Sequence, residues 1–322
     1  MKKHTYCCLL LIGLMACNSN DANVPTDLKL TKDGFVPVPV KATATAADTN
    51  STSNEVAQVG QTEANKKYRF PWLAQYDDED MLLNRILPPP GYERLPTGGG
   101  SFADWLRNLP LKKGKPPVLR YDGSPKANQS VHVAVVDIDV GETDLQQCAD
   151  AVMRLRAEYL YQANSFSAIH FNYTNGTAAS YSKWREGYRP VFKGNKTTWV
   201  KKAKADGSYK VFKQYMNSVF NYCGTFSLNK ELKSIAVEDI KSGDVFIQGG
   251  FPGHAILVMD VAQNPKTKEK VFLLAQSYMP AQNIHILVNP NNSALSPWYS
   301  INFGNNLQTP EWTFANRDLK RF

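Results

Sequence analysis

Four short apolar segments near the C-terminus constrain the fold most strongly. They are rich in β-branched residues, follow one another closely along the chain, and are separated by short links rich in turn-forming residues. Such segments are typical of β-strands. We predict strands over 245–248, 254–261, 271–278 and 284–288. Because short links join neighbouring antiparallel strands, this part of the chain is predicted to form an antiparallel meander.

The link between the two middle strands indicates how they pair. Residues 262–269 are polar and contain an Asn-Pro turn sequence, which favours an antiparallel hairpin. If Val261 pairs near Lys270, His254 falls beside 276–278 on the neighbouring strand. A loop of this length fixes the register only to within about two residues.

Two long amphipathic helices precede these strands. The first is predicted to begin at a Thr143 cap and to run to about Gln162, and the second is predicted over 209–223 with Gly224 as its stop. A further strand is predicted over 131–140. Helices followed by an antiparallel meander indicate an α+β fold in which the helices pack on the sheet.

The N-terminus has the features of an export signal. A basic start is followed by the apolar run 8–15, which is shorter than the about 20 residues of a membrane-spanning helix. The run ends in Leu-Met-Ala-Cys at 14–17, which resembles the lipobox of bacterial lipoproteins. That resemblance implies cleavage before Cys17 and lipidation of its thiol. The alternative is an ordinary signal peptide that contains Cys17.

Composition divides the chain into three parts. Residues 1–16 form the predicted lipoprotein signal peptide, 17–66 are polar without periodicity, and 67–322 form a single α+β domain. The middle part cannot bury a core and is predicted to be a disordered spacer after the lipidated Cys17. We therefore expect a cell-envelope protein whose lipid anchor holds it to a membrane. The outer membrane is the expected location, with the domain facing the periplasm or the cell surface.

The overall composition excludes several classes of protein. The 322-residue chain is 43% apolar and 20% charged, which suits a globular core and excludes a coiled coil or a disulfide-stapled mini-domain. Its net charge of +8 falls to +6 without Lys2 and Lys3 of the predicted signal peptide, which is too small to indicate nucleic acid as a partner. The histidines and cysteines lack the spacing of a zinc site, so neither a metal nor a cofactor is predicted.

Cys148 and Cys223 are the two cysteines of the predicted domain. An exported compartment permits a disulfide between them, and the sequence leaves this pairing open. Cys148 belongs to the apolar stripe of the first long helix, where a cysteine can be a small core residue. The alternative is a nucleophile near the helix N-terminus, where the helix dipole lowers the pKa of a thiol.

A cysteine hydrolase also needs a base beside the thiol and a polar group that orients the base. His254 follows a glycine-rich turn at a strand start, which suits a general base as well as a histidine bonded to loop backbone. Gln276 or Ser277 is predicted beside it on the next strand. We predict Cys148 as nucleophile, His254 as base and Gln276 as orienting residue. His285 alternates with isoleucines and is expected to face solvent.

This order of residues resembles that of NlpC-type and papain-like cysteine peptidases. Segments 243–246 (GDVF) and 253–258 (GHAILV) resemble short stretches of that superfamily, and the resemblance covers about 145–280. It implies a papain-like or NlpC-like fold and hydrolysis of amide bonds, with cell-wall peptides as the substrate class. In that superfamily the nucleophile usually lies at the start of its helix, whereas the predicted Thr143 cap puts Cys148 in the second helical turn.

Longer segments resemble an uncharacterised family of bacterial envelope lipoproteins that carries a domain of unknown function. They lie at 100–107, 144–155, 248–255 and 275–282. The resemblance covers most of 68–322 and supplies no reaction. Besides the three catalytic candidates, the polar residues predicted to line one cleft are Gln147, Asp150, Gln248 and Gln282.

A basic and aromatic stretch lies between the long helices. Residues 181–213 contain ten Lys and Arg residues against two acidic ones, with interleaved aromatic side chains. The pattern suits an anionic polymer or a glycan, and Trp184 is the candidate for contact with a sugar. A solvated insertion is the alternative. The chain as a whole therefore supports two hypotheses: a cysteine hydrolase of amide bonds, or a non-catalytic glycan- or peptide-binding envelope module.

Overall fold

The structure is a computed structural model that describes residues 68–322. The predicted signal peptide, the lipidated Cys17 and the predicted spacer fall on 1–67, outside these residues. The described chain folds as a mixed α+β domain around a nine-stranded antiparallel sheet. Among its helices, none combines the length and the apolar character that a membrane-spanning segment requires.

Fifteen strands and six α-helices make up the described chain. The strands are β1 (Glu93–Arg94), β2 (His132–Val135), β3 (His170–Asn172), β4 (Ala178–Ser180), β5 (Tyr188–Lys193), β6 (Lys196–Lys201), β7 (Lys233–Ser234), β8 (Val245–Gln248), β9 (His254–Gln263), β10 (Lys270–Gln276), β11 (His285–Leu287), β12 (Tyr299–Ser300), β13 (Asn306–Gln308), β14 (Thr313–Ala315) and β15 (Leu319–Arg321). The α-helices are α1 (Leu82–Arg85), α2 (Phe102–Arg107), α3 (Cys148–Gln162), α4 (Tyr181–Arg185), α5 (Tyr209–Tyr222) and α6 (Thr225–Glu231). Short 3₁₀ helices lie at Asp78–Asp80, Phe166–Ala168, Val237–Asp239 and Asn316–Asp318.

The predicted meander forms the centre of the large sheet. Its strand order is β2-β11-β10-β9-β8-β15-β7, with β1 added to β9 and β12 added to β10. The bounds of β8 are as predicted, and those of β9, β10 and β11 agree with the prediction to within two residues. The meander prediction is therefore confirmed. Strand β2 is shorter than predicted and ends at Val135.

The pairing of β9 with β10 is also close to the prediction. Val261 lies opposite Phe272 rather than Lys270, and the register shifts between Leu273 and Leu274. This difference of two residues is within the range that a long polar loop leaves open. The start of β9 consequently lies beside the end of β10, where His254 and Gln276 meet.

The central strands are buried on both faces. Ala255 and Leu257 of β9 belong to one apolar cluster, and Ile256 and Val258 belong to a second. Successive strand residues point to opposite faces, so β9 separates two cores. Helix α3 packs on the first face, whereas the segment that includes Phe314 packs on the second. Burial on both faces explains why β9 is apolar without alternation.

Helix α3 begins later than predicted. Its first residue is Cys148 rather than a residue next to Thr143, because residues 143–147 form tight turns. The Asp150 carboxyl accepts the backbone N–H of Gln147 at 3.1 Å and caps the helix at this point. The expectation that Cys148 lies in the second turn is therefore wrong.

A buried ion network holds α3 against α5. Arg154 Nε lies 2.6 Å from Glu158 Oε1, and the Tyr209 hydroxyl donates to the same oxygen at 2.7 Å. A second Arg154 nitrogen contacts Asp139 at 3.1 Å. Because Arg154 and Glu158 are 1% exposed, this pair fixes the position of the helix that carries Cys148.

Candidate functional site

A cavity of about 320 Å³ lies at the N-terminal end of α3. Its walls come from the start of α3, the α5–α6 junction 220–226, the loop 250–253 and Met279. Cys148 and Cys223 both line it, and both are free thiols, which answers the question of a disulfide that the sequence left open. Burial raises the pKa of Cys223.

Cys148 is the first residue of α3 and is 4% exposed. It belongs to neither apolar cluster of the described chain, although its helical spacing suggested a core position. Burial raises the pKa of the thiol to about 11, while the backbone N–H of Ala255 favours the thiolate and the nearby Asp150 disfavours it. The thiol is therefore protonated at neutral pH.

His254 is fully buried at the start of β9. Its Nε2 lies 3.0 Å from Gln276 Oε1, and its buried Nδ1 makes no hydrogen bond. The ring packs against Tyr278 at 5.0 Å and Trp312 at 5.1 Å between ring centroids. Burial lowers the pKa of His254 to about 4, and the hydrogen bond to Gln276 opposes this effect. The predicted contact between His254 and Gln276 is present.

The hydrogen bonds of Gln276 define the tautomer of His254. Gln276 Nε2 donates to Glu311 Oε2 at 2.7 Å and lies 3.4 Å from His285 Nε2. His285 Nδ1 lies 2.8 Å from the Asn283 carbonyl, which can only accept, so His285 Nε2 carries a lone pair. With both amide hydrogens used, Gln276 Oε1 accepts from His254 Nε2–H. His254 Nδ1 is consequently unprotonated and able to accept a proton.

Glu311 is itself held by a buried lysine. Lys126 Nζ lies 2.6 Å from Glu311 Oε1, is 7% exposed and lies 4.8 Å above the Tyr278 ring. Neither residue was predicted from the sequence, because neither lies in a motif with Cys148 or His254. One feature of the sequence could have drawn attention to Glu311, which is the sole acidic residue between Glu269 and Asp318.

His285 corrects an expectation from the sequence. It was expected to face solvent, yet it is fully buried. The reason is that β11 is an inner strand, with β10 on one side and β2 on the other. Burial lowers the pKa of His285 to about 3, so it stays neutral and accepts from Gln276.

Two of the predicted cleft residues line the cavity. Gln147 precedes α3, and its side-chain Nε2 donates to Asp144 at 3.0 Å. Asp150 is buried, and its Oδ1 has no hydrogen-bond partner. Burial raises the pKa of Asp150 well above its usual range. Both residues therefore lie with Cys148, and Asp150 has an unused acceptor atom.

Gln248 and Gln282 have other surroundings. Gln248 pairs with His254 through the backbone, but its side chain donates to Asp318 at 2.7 Å and accepts from Trp312 at 3.0 Å. The Gln282 side chain donates to the Pro280 carbonyl at 2.8 Å. Neither lines the cavity. The Gln248 amide is therefore engaged with the segment 312–318, whereas the Gln282 amide bonds within its own loop and its buried Oε1 has no hydrogen-bond partner.

Trp184 is a core residue. It lies in the apolar cluster against Tyr215 rather than on the surface, and Arg189 covers its ring at 4.1 Å. The predicted sugar contact through Trp184 is therefore wrong in its placement, because the indole is 7% exposed and does not line the cavity. The basic stretch around it forms α4 and the β5–β6 hairpin.

Cys148 lines the cavity, whereas His254 directly follows the lining residue Gly253 and is not itself a lining residue. Within residues 68–322, no group of three or more His, Cys, Asp or Glu side chains is arranged to hold a metal ion. The chemistry that the side chains themselves support is attack by a thiol with proton transfer to an imidazole. No hydrogen bond joins Cys148 to His254 Nδ1 in this structure.

Comparison with known proteins gives a family and no reaction. No curated protein and no solved structure matches the chain. A family model described as "Domain of unknown function (4846)" matches residues 82–321, which is most of the described domain. The expected membership in a family with a domain of unknown function is confirmed. The chain belongs to the family of proteins with Domain of unknown function (4846).

Proposed function

We propose that this protein is a cysteine hydrolase of amide bonds, with Cys148 as nucleophile, His254 as base and Gln276 as the residue that orients the base. The observation that carries the proposal is the state of the His254 ring. Its Nε2–H is held by Gln276, and its buried Nδ1 has a lone pair and no hydrogen bond. A base in this state near a cavity that contains a thiol is what cysteine catalysis requires.

The proposed reaction has two stages. Cys148 Sγ attacks the carbonyl carbon, its proton passes to His254 Nδ1, and an S–C bond forms. The C–N bond then breaks, and the leaving amine takes the proton from His254, which leaves a thioester. In the second stage water attacks the thioester and gives a proton to His254. The C–S bond breaks, Cys148 regains that proton, and the carboxylic acid leaves.

The neutral state of both groups defines how the reaction starts. The pKa values of about 11 for Cys148 and about 4 for His254 keep the thiol protonated and the imidazole neutral at pH 7. His254 therefore acts as a general base during attack rather than as one half of a standing ion pair. The thiol has to turn toward Nδ1, and catalytic hydrogen bonds often tighten only when substrate binds.

Backbone amides at the start of α3 are candidates to stabilise the oxyanion. The first N–H groups of an α-helix have no partner within the helix, and the helix dipole places positive charge there. Cys148 is the first residue of α3. An oxygen of the attacked carbonyl can therefore accept from the Cys148 N–H while Sγ forms its bond.

A papain-like or NlpC-like fold and an envelope location are further parts of the proposal. The position of Cys148 at the helix start removes the departure that the Thr143 cap introduced. The lipobox-like residues 14–17 support a lipid anchor at Cys17. Cell-wall peptides lie outside the inner membrane, so an envelope location makes them an accessible class of substrate.

A second function is favoured by the state of the two proposed catalytic side chains. Burial raises the pKa of Cys148 and lowers that of His254, and no hydrogen bond joins the two side chains. These features suit a non-catalytic module that binds peptide or glycan in the same cavity. In the hydrolase, Cys148 forms a covalent bond to the substrate that is later broken, whereas in the binding module Cys148 forms no such bond.

The proposal is tested by hydrolysis with the purified full chain. Peptides released from bacterial cell wall are incubated with the wild type, and newly formed amines are measured. We expect hydrolysis that is lost in Cys148→Ala and in His254→Gln and is kept in Cys223→Ser. Hydrolysis that survives Cys148→Ala contradicts the assignment of the nucleophile. Binding of the peptides without hydrolysis supports the second function instead.

A further inference from the structure

The rim of the Cys148 cavity is unusually apolar. Six large apolar side chains are exposed in residues 68–322, and four of them line this one cavity. The four are Tyr222, Phe226, Phe251 and Met279. Phe251 is 94% exposed at the tip of the loop 250–253. Single exposed apolar residues are ordinary, but a group of them around one cavity is typical of a binding site.

The charge of the cavity is opposite to that of the chain. The net charge of the whole chain is +8, yet the cavity is lined by two carboxyl side chains, Asp144 and Asp150, without a Lys, Arg or His. Asp144 is exposed, whereas Asp150 is buried and contributes to the cavity as a polar group. Neither carboxyl belongs to an ion pair among the described residues. Asp150 is 7% exposed, and its Oδ1 has no hydrogen-bond partner. A buried carboxyl oxygen without a partner favours a ligand that forms a hydrogen bond with it.

We infer that this cavity binds peptides that place an apolar side chain against the rim, a positive charge beside Asp144 and a hydrogen-bonding group beside Asp150. The inference deepens the proposed function, because the reactive thiol lies in the same cavity. The binding preference itself does not require hydrolysis, and only the identity of the cleaved bond depends on the proposed function. The volume of about 320 Å³ corresponds to roughly ten water molecules, which limits the bound part to one or two residues.

Charge also argues for one class of peptide over another. A carboxylate placed beside Asp144 would meet a like charge without a compensating cation, which opposes binding. Peptides that carry a lysine or another amine beside an apolar residue avoid this repulsion. Cationic, apolar peptides are therefore preferred over the acidic peptides that a cleft with arginine or lysine would select.

Equilibrium binding tests this preference without requiring catalysis. Three probes are titrated into the full-length Cys148→Ala variant by calorimetry: acetyl-Lys-Leu-amide, acetyl-Glu-Leu-amide and acetyl-Lys-Ser-amide. The first and second differ in charge, and the first and third differ in the apolar side chain. We expect the first to bind about tenfold more tightly than either of the others.

Matched variants assign the preference to the cavity. Phe251→Ser is expected to abolish the advantage of leucine over serine, whereas Leu87→Ser, which removes an exposed apolar side chain elsewhere, is expected to keep it. Asp144→Asn is expected to reduce the advantage of lysine over glutamate. Its control is Glu142→Gln, which alters an exposed acid that does not line the cavity.

The outcomes separate this inference from the proposed function. Equal binding of the three probes, or tightest binding of the glutamate probe, overturns the inference. The inference is also overturned by one result with octanoyl amide, which carries no charge. In that result, octanoyl amide binds as tightly as the lysine probe to the Cys148→Ala protein, both with and without the added Asp144→Asn substitution. Selective binding by Cys148→Ala together with no hydrolysis by the wild type upholds the inference and overturns the proposed hydrolase.

Discussion

Gln276 Nε2 lies 2.7 Å from Glu311 Oε2, and this contact decides which way the Gln276 amide points. With its nitrogen engaged by Glu311, the amide presents its oxygen to His254 Nε2 at 3.0 Å. The Lys126 ammonium holds Glu311 from the other side at 2.6 Å. The ion pair of Lys126 with Glu311 therefore determines that His254 Nδ1, rather than Nε2, is the proton acceptor.

Glu311→Gln is expected to change the tautomer of His254. A neutral amide at 311 no longer requires a donor from Gln276, so the Gln276 amide can turn its nitrogen toward His254. The ring then shifts its proton to Nδ1 and loses the free base. Nitrogen-15 NMR of the His254 ring is the measurement, with Nε2–H expected in the wild type and a large fraction of Nδ1–H in the variant.

The same substitution leaves Lys126 buried without a partner. We expect the free energy of unfolding to fall by about 3 kcal/mol, because an unpaired buried charge is strongly destabilising. The double variant Lys126→Met with Glu311→Gln serves as the control and is expected to recover part of that loss. A tautomer that stays unchanged in both variants would show that Glu311 does not orient Gln276.

Stability should depend on pH through His254. The pKa of His254 is about 4 in the folded protein, below its usual value of 6.5, because burial disfavours the charged ring. The unfolded chain therefore binds this proton more readily, and the contribution is complete above pH 6.5 and is lost as pH falls toward 4. The loss over that window amounts to about 3 kcal/mol.

Urea unfolding between pH 7.5 and 4 measures this contribution. His254→Gln is compared with the wild type at each pH, so that the titration of the carboxyl groups cancels. We expect the stability advantage of the wild type over the variant to shrink as pH falls. A difference that is constant over this range would mean that His254 has an ordinary pKa in the folded protein.

The ion pair under α3 should contribute strongly to stability. Glu158→Gln leaves the fully buried Arg154 without its closest counter-charge, and we expect the free energy of unfolding to fall by about 3 to 5 kcal/mol. Asp139→Asn is the matched control, because it also contacts Arg154 but is 45% exposed. For that variant the expected loss is at most about 1 kcal/mol. Equal losses in urea unfolding would refute the distinction.

Two glycines of one loop should differ in their tolerance of alanine. A Cβ at Gly253 would lie 2.4 Å from Thr225 Oγ1 and 2.7 Å from the Gln248 carbonyl, whereas the nearest atom to a Cβ at Gly250 is a carbonyl 3.4 Å away. Gly253→Ala is expected to reduce stability by about 1 to 3 kcal/mol by displacing the chain before His254. Gly250→Ala is expected to leave thermal unfolding nearly unchanged, and similar melting temperatures for the two would contradict this account.

The sequence allowed the sheet to be predicted because its signals are local. Strand periodicity and one turn sequence predicted β8 to β11 and brought His254 beside Gln276. The start of α3 was predicted wrongly, since Thr143 resembles a cap in isolation. The Asp150 carboxyl caps the helix at Gln147 instead. The sequence pattern does not show which of the two nearby positions, Thr143 or Gln147, begins the helix.

The rest of the site depends on contacts between distant parts of the chain. Lys126 and Glu311 meet through the fold, and neither lies in a motif. His285 was expected on the surface because alternation gives the face of a side chain without saying whether that face is covered. Trp184 was misplaced for a different reason, since its charged neighbours along the chain suggested a surface position, whereas the indole packs in the apolar core.

The rate of Cys148 alkylation by iodoacetamide as a function of pH tests the central claim most directly. It is measured on the full chain by mass spectrometry of the Cys148 peptide, in the wild type, in His254→Gln and in the control His132→Gln. If His254 is the base, the rate is expected to be level from about pH 5 to 9, to fall near pH 4, and to drop about tenfold or more in His254→Gln alone. A rate that rises tenfold per pH unit up to a thiol pKa of about 11, and is the same in all three proteins, would contradict the account.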